Sequence, residues 1–133
     1  MIVDRESLIA TFPVDVAETV LLRGTRVKFL LTAGVVGLAT ASATDLAIGV
    51  VERDFTNDAT VGNPAQGCAV RLFGYPRTFI AASATTDAGQ LSPVASGKVD
   101  DGIGYPYVAF KGAGAANELV TGYKVETVLF AAP

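Results

Sequence analysis

Residues 68–94 read CAVRLFGYPRTFIAASATTDAGQLSPV, and this stretch decides the fold class. Apolar and charged side chains alternate over residues 70–72, Gly-Tyr-Pro interrupts the run at residues 74–76, and a second apolar run starts at Thr78. This pattern predicts two strands joined by a tight turn. The Asp-Ala-Gly that follows predicts another turn and a third short strand at residues 90–91. We interpret the stretch as the core of a sheet and not as an active site.

Short apolar runs bounded by turn-forming residues continue on both sides of this stretch. Strands are predicted at residues 26–31, 47–51 and 123–130, and a loop is predicted over residues 55–66. No long helical period occurs in the sequence. The sequence therefore predicts an all-β fold, a small β-barrel or β-sandwich of about seven to nine short strands with Gly/Pro-rich turns.

The chain is divided by this interpretation into an N-terminal arm, residues 1–16, and a single β domain, residues 17–133. Within the arm, Leu8, Ile9 and Phe12 fall on one face if the segment forms a short helical turn. An extended arm agrees with the sequence equally well.

The nearest thing to a basic cluster in the sequence is the group Arg23, Arg26 and Lys28. On a strand Arg26 and Lys28 share one face, while Val27 and Phe29 point to the other side, toward the core. We favour a solvated strand face for the two cations, and a site for phosphate or an acidic partner is the alternative. Because the net charge is −3 and the pI about 4.8, no nucleic-acid partner is expected.

The composition is apolar for a chain of this length. Of the 133 residues, 50% are hydrophobic and 17% are charged, against roughly 25% charged residues in average soluble domains. A small domain has much surface for its volume, so part of this apolar material is expected at the surface, covered by neighbours in an assembly. The alternative is that alanine and glycine raise the mean hydropathy without forming apolar patches.

The sequence offers no constellation of catalytic or metal-binding residues. It contains no histidine and a single cysteine, Cys68, which excludes Ser-His-Asp and Cys-His arrangements and an internal disulfide. We predict that Cys68 is a small buried side chain. Asp54, Asn57 and Asp58 lack the spacing of a calcium loop, and residues 112–117 lack the third glycine of a dinucleotide fingerprint. No enzymatic activity, cofactor or metal is therefore expected.

The chain begins with early acidic residues and lacks the order of a signal peptide. Its most apolar stretch, residues 29–43, is interrupted by small polar residues and glycines and is too short to span a bilayer. We therefore expect a cytoplasm-like compartment and no membrane partner.

Three short segments carry a resemblance to a known family. They are Gly49-Val50, Val70-Arg71-Leu72 and Asp87-Ala88-Gly89-Gln90-Leu91, set among short strands and glycine-rich turns. Over about residues 35–100 the chain resembles small bacteriophage head decoration proteins, also called capsid cement proteins. Gln90 stands where an acidic residue is commoner in that family.

The resemblance implies a non-enzymatic protein that binds the outer surface of an expanded icosahedral shell, with the major capsid protein as its partner. It also implies homotrimers at three-fold or quasi-three-fold positions, which stabilise the shell against the pressure of the DNA, after synthesis in the cytoplasm of the bacterial host. The predicted interface with the shell or with other subunits comprises Ile2, Leu8, Ile9, Phe12, Arg23 and Arg26. Residues 2–12 are expected to add to a strand edge of the shell.

Two other classes of protein stay open. Another virion structural module, such as a tail-tube or fibre component, would assemble into rings or fibres by itself. A small hydrolase or lyase on a β-barrel would need a concave polar pocket, and the sequence gives no sign of one.

Overall fold

A computed structural model of the chain describes residues 8–14, 20–30, 36–38, 47–56, 65–73, 76–126 and 129. In this part of the chain there are twelve short strands and no helix, so the predicted all-β fold is confirmed. The strands are β1 (Leu8–Val14), β2 (Val20–Leu21), β3 (Arg26–Phe29), β4 (Val36–Leu38), β5 (Ala47–Val51), β6 (Phe55–Thr56), β7 (Ala65–Phe73), β8 (Arg77–Ile80), β9 (Leu91–Val94), β10 (Lys98–Asp101), β11 (Tyr107–Ala109) and β12 (Leu119–Lys124).

Five of these strands pair in a ring with the order β1-β4-β3-β5-β7, and β7 returns to β1. The antiparallel pairing of β1 with β7 is long and runs from Leu8 opposite Phe73 to Val14 opposite Ala65. Among the described residues, β1 and β4 are linked by one parallel pair, Val14 with Val36. The pairing order is that of a small barrel.

The remaining strands form smaller sheets beside the ring. β8, β12 and β11 make a three-stranded antiparallel sheet, β9 and β10 make a hairpin, and β2 pairs with β6. Two apolar cores result, and β5 contributes to both because neighbouring residues on a strand point to opposite sides. Val51 packs in the ring core, and Val50 packs in the second core with Phe79.

Aromatic rings organise the second core. The ring centroid of Phe79 lies 5.1 Å from that of Tyr107 and 5.6 Å from that of Tyr105, both edge-to-face. Aromatic pairs in this geometry stabilise by about 0.5–1.5 kcal/mol beyond their buried area. Aromatic contacts on its inner face therefore hold the three-stranded sheet to the second core.

The hairpin predicted around residues 74–76 is wrong. β7 pairs with β1 and β5 in the ring, whereas β8 pairs with β12 in the other sheet. The two strands separate because their apolar residues belong to different cores: Val70 packs with the ring and Phe79 with the aromatic cluster. The third strand predicted in this stretch is present as β9, which starts at Leu91.

Two other predicted strands have different outcomes. The strand predicted at residues 47–51 is confirmed as β5. Where the strand was predicted at residues 123–130, β12 spans Leu119–Lys124, so it begins earlier than predicted and ends before Val125, whose N–H donates to the Pro106 carbonyl at 3.1 Å. Residues 127, 128 and 130 of that prediction lie outside the described residues. Phe29, predicted to face the core, is exposed at the end of β3.

Arg26 is a core residue, and the prediction that it lies on a solvated face is wrong. Its side chain is 2% exposed. The guanidinium donates from Nε to the Lys98 carbonyl at 3.2 Å and from Nη2 to the Val94 carbonyl at 3.0 Å. It also lies 5.4 Å from the ring centroid of Tyr105. The reason is that the β9–β10 hairpin covers this side of β3, where the Gly97 carbonyl accepts the Arg26 N–H at 2.9 Å.

Part of the predicted arm forms a strand. Residues 1–7 and 15–16 lie outside the described residues, and residues 8–14 form β1 of the ring. Of the two conformations left open for this segment, the extended one is present. Removing β1 would expose the edge of β7, so these residues contribute to the domain itself.

Candidate interaction surface

The three-stranded sheet has a buried face and an exposed face. Along β12, Val120 and Gly122 point to the core, while Leu119, Thr121 and Tyr123 point outward. A Cβ at Gly122 would lie 2.8 Å from the Phe79 ring, so only glycine admits the ring at this position. The aromatic core therefore fixes which side of β12 faces solvent.

The exposed face is rich in large apolar side chains. Phe110, directly after β11, is 82% exposed, and Leu119 at the start of β12 is 49% exposed. Tyr123 is also exposed and lies opposite Val108 in the antiparallel register. We call this surface, made of Val108, Phe110, Leu119, Thr121 and Tyr123, the outer sheet face.

Two shallow depressions meet on the outer sheet face. The first has a volume of about 350 Å³ and is lined by Phe110, Lys111, Gly112, Leu119, Val120, Thr121 and Tyr123. The second has a volume of about 280 Å³ and is lined by Leu22, Arg23, Asp54, Ile80, Asn117 and Leu119. Because Leu119 lines both, the two depressions form one continuous surface.

The second depression extends the apolar surface onto β2. Leu22 and Val20 are both exposed and flank the fully buried Leu21, so they point to the same side of the chain. The Arg23 N–H donates to Asp54 Oδ1 at 2.8 Å, which fixes the two loops that form this depression. An apolar centre with charged residues at its edge is typical of a protein interface.

The residues predicted as an interface are separated by the structure. Arg23 lies in the second depression, beside Leu119. Leu8 and Ile9 are exposed on β1 in the ring, and Phe12 packs edge-to-face on Phe29 with 5.4 Å between the ring centroids. Arg26 is buried and forms no part of a surface, and Ile2 lies outside the described residues.

Sequence reasoning missed Leu22, Phe110, Leu119 and Tyr123. The strand that carries two of them reads Leu-Val-Thr-Gly-Tyr-Lys, and its buried positions are valine and glycine while leucine and tyrosine are exposed. Buried and exposed positions therefore alternate along this strand, but its large apolar side chains occupy the exposed positions. Only the glycine at residue 122, placed between two outward residues, was a signal of close packing on the inner side.

The described residues contain no group of three Cys, Asp or Glu side chains placed to hold a metal ion. Cys68 is buried as predicted, and burial raises the pKa of its thiol to about 11. The Arg71 guanidinium donates two hydrogen bonds of 2.9 Å to Glu52 and holds the pKa of that carboxyl below its usual value. Neither group lies on the outer sheet face.

In the part of the chain that the structure describes, no helix is long and apolar enough to cross a membrane.

No protein-family model matches the sequence, and no curated protein matches it either. Solved structures do share the all-β fold. One of them is that of the N base of the head fiber gp8.5 in bacteriophage phi29, with a TM-score of 0.61 and 13% sequence identity. The match covers 94% of this chain and 99% of that chain. At this identity the likeness shows a common fold.

Proposed function

We propose that the protein is a non-enzymatic structural component of a bacteriophage virion, located on the outside of the head. The observation that carries this proposal is the fold, which matches the base of a phage head fiber over 94% of this chain. The resemblance of three short segments to head decoration proteins points to the same part of the virion. The two lines of support are independent, since one comes from the backbone and the other from the residues.

The outer sheet face is the surface that we propose docks on the shell. Burying a large apolar side chain that is otherwise exposed contributes about 1.5–3 kcal/mol, and Phe110 and Leu119 are both available for this. Anchors of this kind at the centre of an interface supply most of the binding energy. Many copies bound to one shell add avidity to modest single contacts.

Two finer roles fit a docked domain, and each has its own support. A decoration protein binds the major capsid protein of the expanded shell, as a homotrimer, and stabilises the shell; the segments around Val70 and Gln90 support this role. A fibre component uses the domain as a base on the head, and the likeness to the phi29 fiber base supports this role. Both roles require contact with the shell, but only the decoration role stabilises the shell.

The first experiment is co-sedimentation of the purified full chain with empty shells of its parent virus, prepared before and after expansion. Saturable binding to expanded shells only, with a rise in their resistance to heat or chelators, supports the decoration role. Saturable binding without any stabilisation supports the fibre-base role. Absence of binding to both kinds of shell, together with rings or fibres formed by the protein alone, refutes docking on the head and points to a tail component.

A matched pair of variants locates the contact. Leu119→Asp places a charge at the centre of the outer sheet face, and Leu8→Asp makes the same change on β1, where the side chain is 45% exposed against 49% for Leu119. We expect Leu119→Asp to weaken shell binding roughly tenfold to a hundredfold and Leu8→Asp to leave it unchanged. The reverse result would assign the contact to β1 and the N-terminal segment.

Point substitutions are needed here because a truncation is not a clean test of the N-terminal segment. Deleting residues 1–13 removes nearly all of β1, whose pairing with β7 spans from Leu8 to Val14. Loss of binding in such a variant would report loss of the ring as readily as loss of a contact. Deleting residues 1–7 leaves β1 in place, so that variant tests the segment that carries Ile2.

A further inference from the structure

The second depression has an apolar lining that is open to solvent. Leu22 and Leu119 line it with side chains that are about half exposed, and the buried Ile80 lies between the loops that form it. Its volume is about 280 Å³, so an aliphatic side chain of a partner can enter it. Contact with such a side chain would cover apolar surface that the domain leaves in water.

The carboxylates beside the second depression already have partners within the domain. Asp54 Oδ1 accepts the main-chain N–H of Arg23 at 2.8 Å. Glu52 accepts two hydrogen bonds of 2.9 Å from the Arg71 guanidinium. The guanidinium of Arg23 is exposed and forms no hydrogen bond or ion pair with the described residues. One cation that lines the depression is therefore available to a partner.

Positive charge gathers here although the net charge of the chain is −3. The hydrogen bonds from Arg71 hold the pKa of Glu52 below its usual value, and the charges of Arg23 and Arg53 add to this effect. Arg23 and Arg53 therefore lie close enough to act on the same carboxyl. Three guanidiniums thus stand against the two carboxylates of Glu52 and Asp54, and this balance favours an anionic partner.

Asn117 adds a hydrogen-bond donor to the same depression. The ammonium of Lys98 only donates and lies 2.7 Å from Asn117 Oδ1, so the oxygen of this carboxamide must face Lys98. The Asn117 Nδ2 group then has two N–H donors, which make no hydrogen bond within the described part of the chain. The neighbouring Glu118 directs its carboxylate to the Gly114 N–H at 2.9 Å. Donors beside an apolar lining match a carboxylate that stands next to an aliphatic side chain.

We infer that the second depression binds an extended segment of the shell protein in which an aliphatic side chain stands next to an aspartate or glutamate. The aliphatic side chain contacts Leu22 and Leu119, and the carboxylate pairs with the guanidinium of Arg23. The inference rests on the proposed docking on the shell and adds the chemistry of the segment that is recognised. Complementary charge at this position also fixes the orientation of the docked domain.

Co-sedimentation of the full chain with expanded shells tests the contact through the charge at residue 23. We expect Arg23→Glu to weaken binding roughly tenfold or more, and Arg23→Gln by less. Lys111→Glu is the matched control, because it makes the same charge change at a residue that lines only the first depression. It should weaken binding by at most about threefold. Raising NaCl from about 50 to about 300 mM should weaken binding of the natural chain more than binding of Arg23→Gln.

A second measurement needs no shells. In an NMR titration of the full chain, the peptide acetyl-Asp-Leu-Asp-amide should shift the main-chain amide signals of Leu22, Asn117 and Leu119 in a saturable way. Acetyl-Asn-Leu-Asn-amide, which has a similar shape and no side-chain charge, should need roughly tenfold more peptide for the same shifts. Arg23→Glu should abolish the shifts, whereas Lys111→Glu should retain them.

The results distinguish this inference from the proposed function. Shell binding that responds equally to Arg23→Glu and Lys111→Glu, or to neither, would leave docking intact and overturn recognition of a carboxylate by Arg23. A chain that binds the acidic peptide but no shells would refute the docking and, with it, the shell as the source of the segment. Shifts of the same amide signals with rising protein concentration alone would assign the depression to a second copy of the chain and overturn the inference.

Discussion

The buried guanidinium of Arg26 connects two parts of the domain, so its removal should be costly. Two of its hydrogen bonds reach carbonyls that are 68 and 72 residues away, and they connect β3 of the ring to the β9–β10 hairpin. Arg26→Met keeps most of the apolar stem and removes the charged group. The partly buried carbonyls of Val94 and Lys98 then lose a donor.

The size of the effect follows from these contacts. A hydrogen bond to a charged group contributes about 1.5–3 kcal/mol, and a buried carbonyl left without a donor costs about 1–3 kcal/mol. The contact with the Tyr105 ring, at 5.4 Å, adds about 2 kcal/mol when it is shielded from water. Relief of the cost of burying a charge offsets part of this. We therefore expect a loss of about 3–5 kcal/mol in the free energy of unfolding, or roughly 10–20 °C in Tm.

Urea unfolding followed by circular dichroism measures this loss. Arg23→Met is the matched control, because Arg23 is exposed and its main-chain N–H, not its side chain, bonds Asp54. We expect the control to change the free energy of unfolding by less than about 0.5 kcal/mol. A change below about 1 kcal/mol in Arg26→Met would refute the reasoning, since burial of the charge would then cancel its bonds.

Two further predictions concern the core and a tight loop. The folded chain disfavours the Cys68 thiolate, whose thiol has a pKa of about 11 against an ordinary value of 9.0. Because the unfolded thiol releases its proton first, the free energy of unfolding should fall as the pH rises from about 9 to about 11. Cys68→Ala should remove this part of the pH dependence in urea titrations. Gly112→Ala should destabilise by more than about 2 kcal/mol, since a Cβ there overlaps the Thr85 carbonyl, whereas Gly114→Ala, whose nearest neighbour is Glu118 Oε2 at 3.4 Å, should melt within a few degrees of the natural chain.

Local patterns in the sequence predicted the class of fold and some of its parts. The all-β fold, the strand β5 and the burial of Cys68 each depend on residues within one short run, and each is confirmed. The apolar run over residues 47–51, followed by the charged residues 52–54, is enough to place β5. Each of these predictions needs only the pattern of about ten neighbouring residues.

Pairing and burial over long distances were not predictable in the same way. Nothing in the run around Arg26 shows that a hairpin some 70 residues later will cover it. Nothing around residues 74–76 shows that β7 and β8 belong to different sheets, because either strand satisfies the alternation by itself. The outer sheet face could not be predicted for the same reason, because the exposure of Leu119 depends on which side of β12 the aromatic core occupies.

Gln90 shows why a side-chain amide cannot be exchanged for a carboxylate at its position. A carboxylate accepts but does not donate, so it cannot bond the carbonyls of Tyr105 and Leu129 that the Gln90 amide holds here. An acidic residue at position 90 would therefore leave the Tyr105 and Leu129 carbonyls without this donor, and the exchange rate of the Leu129 N–H in Gln90→Glu measures how much the amide contributes.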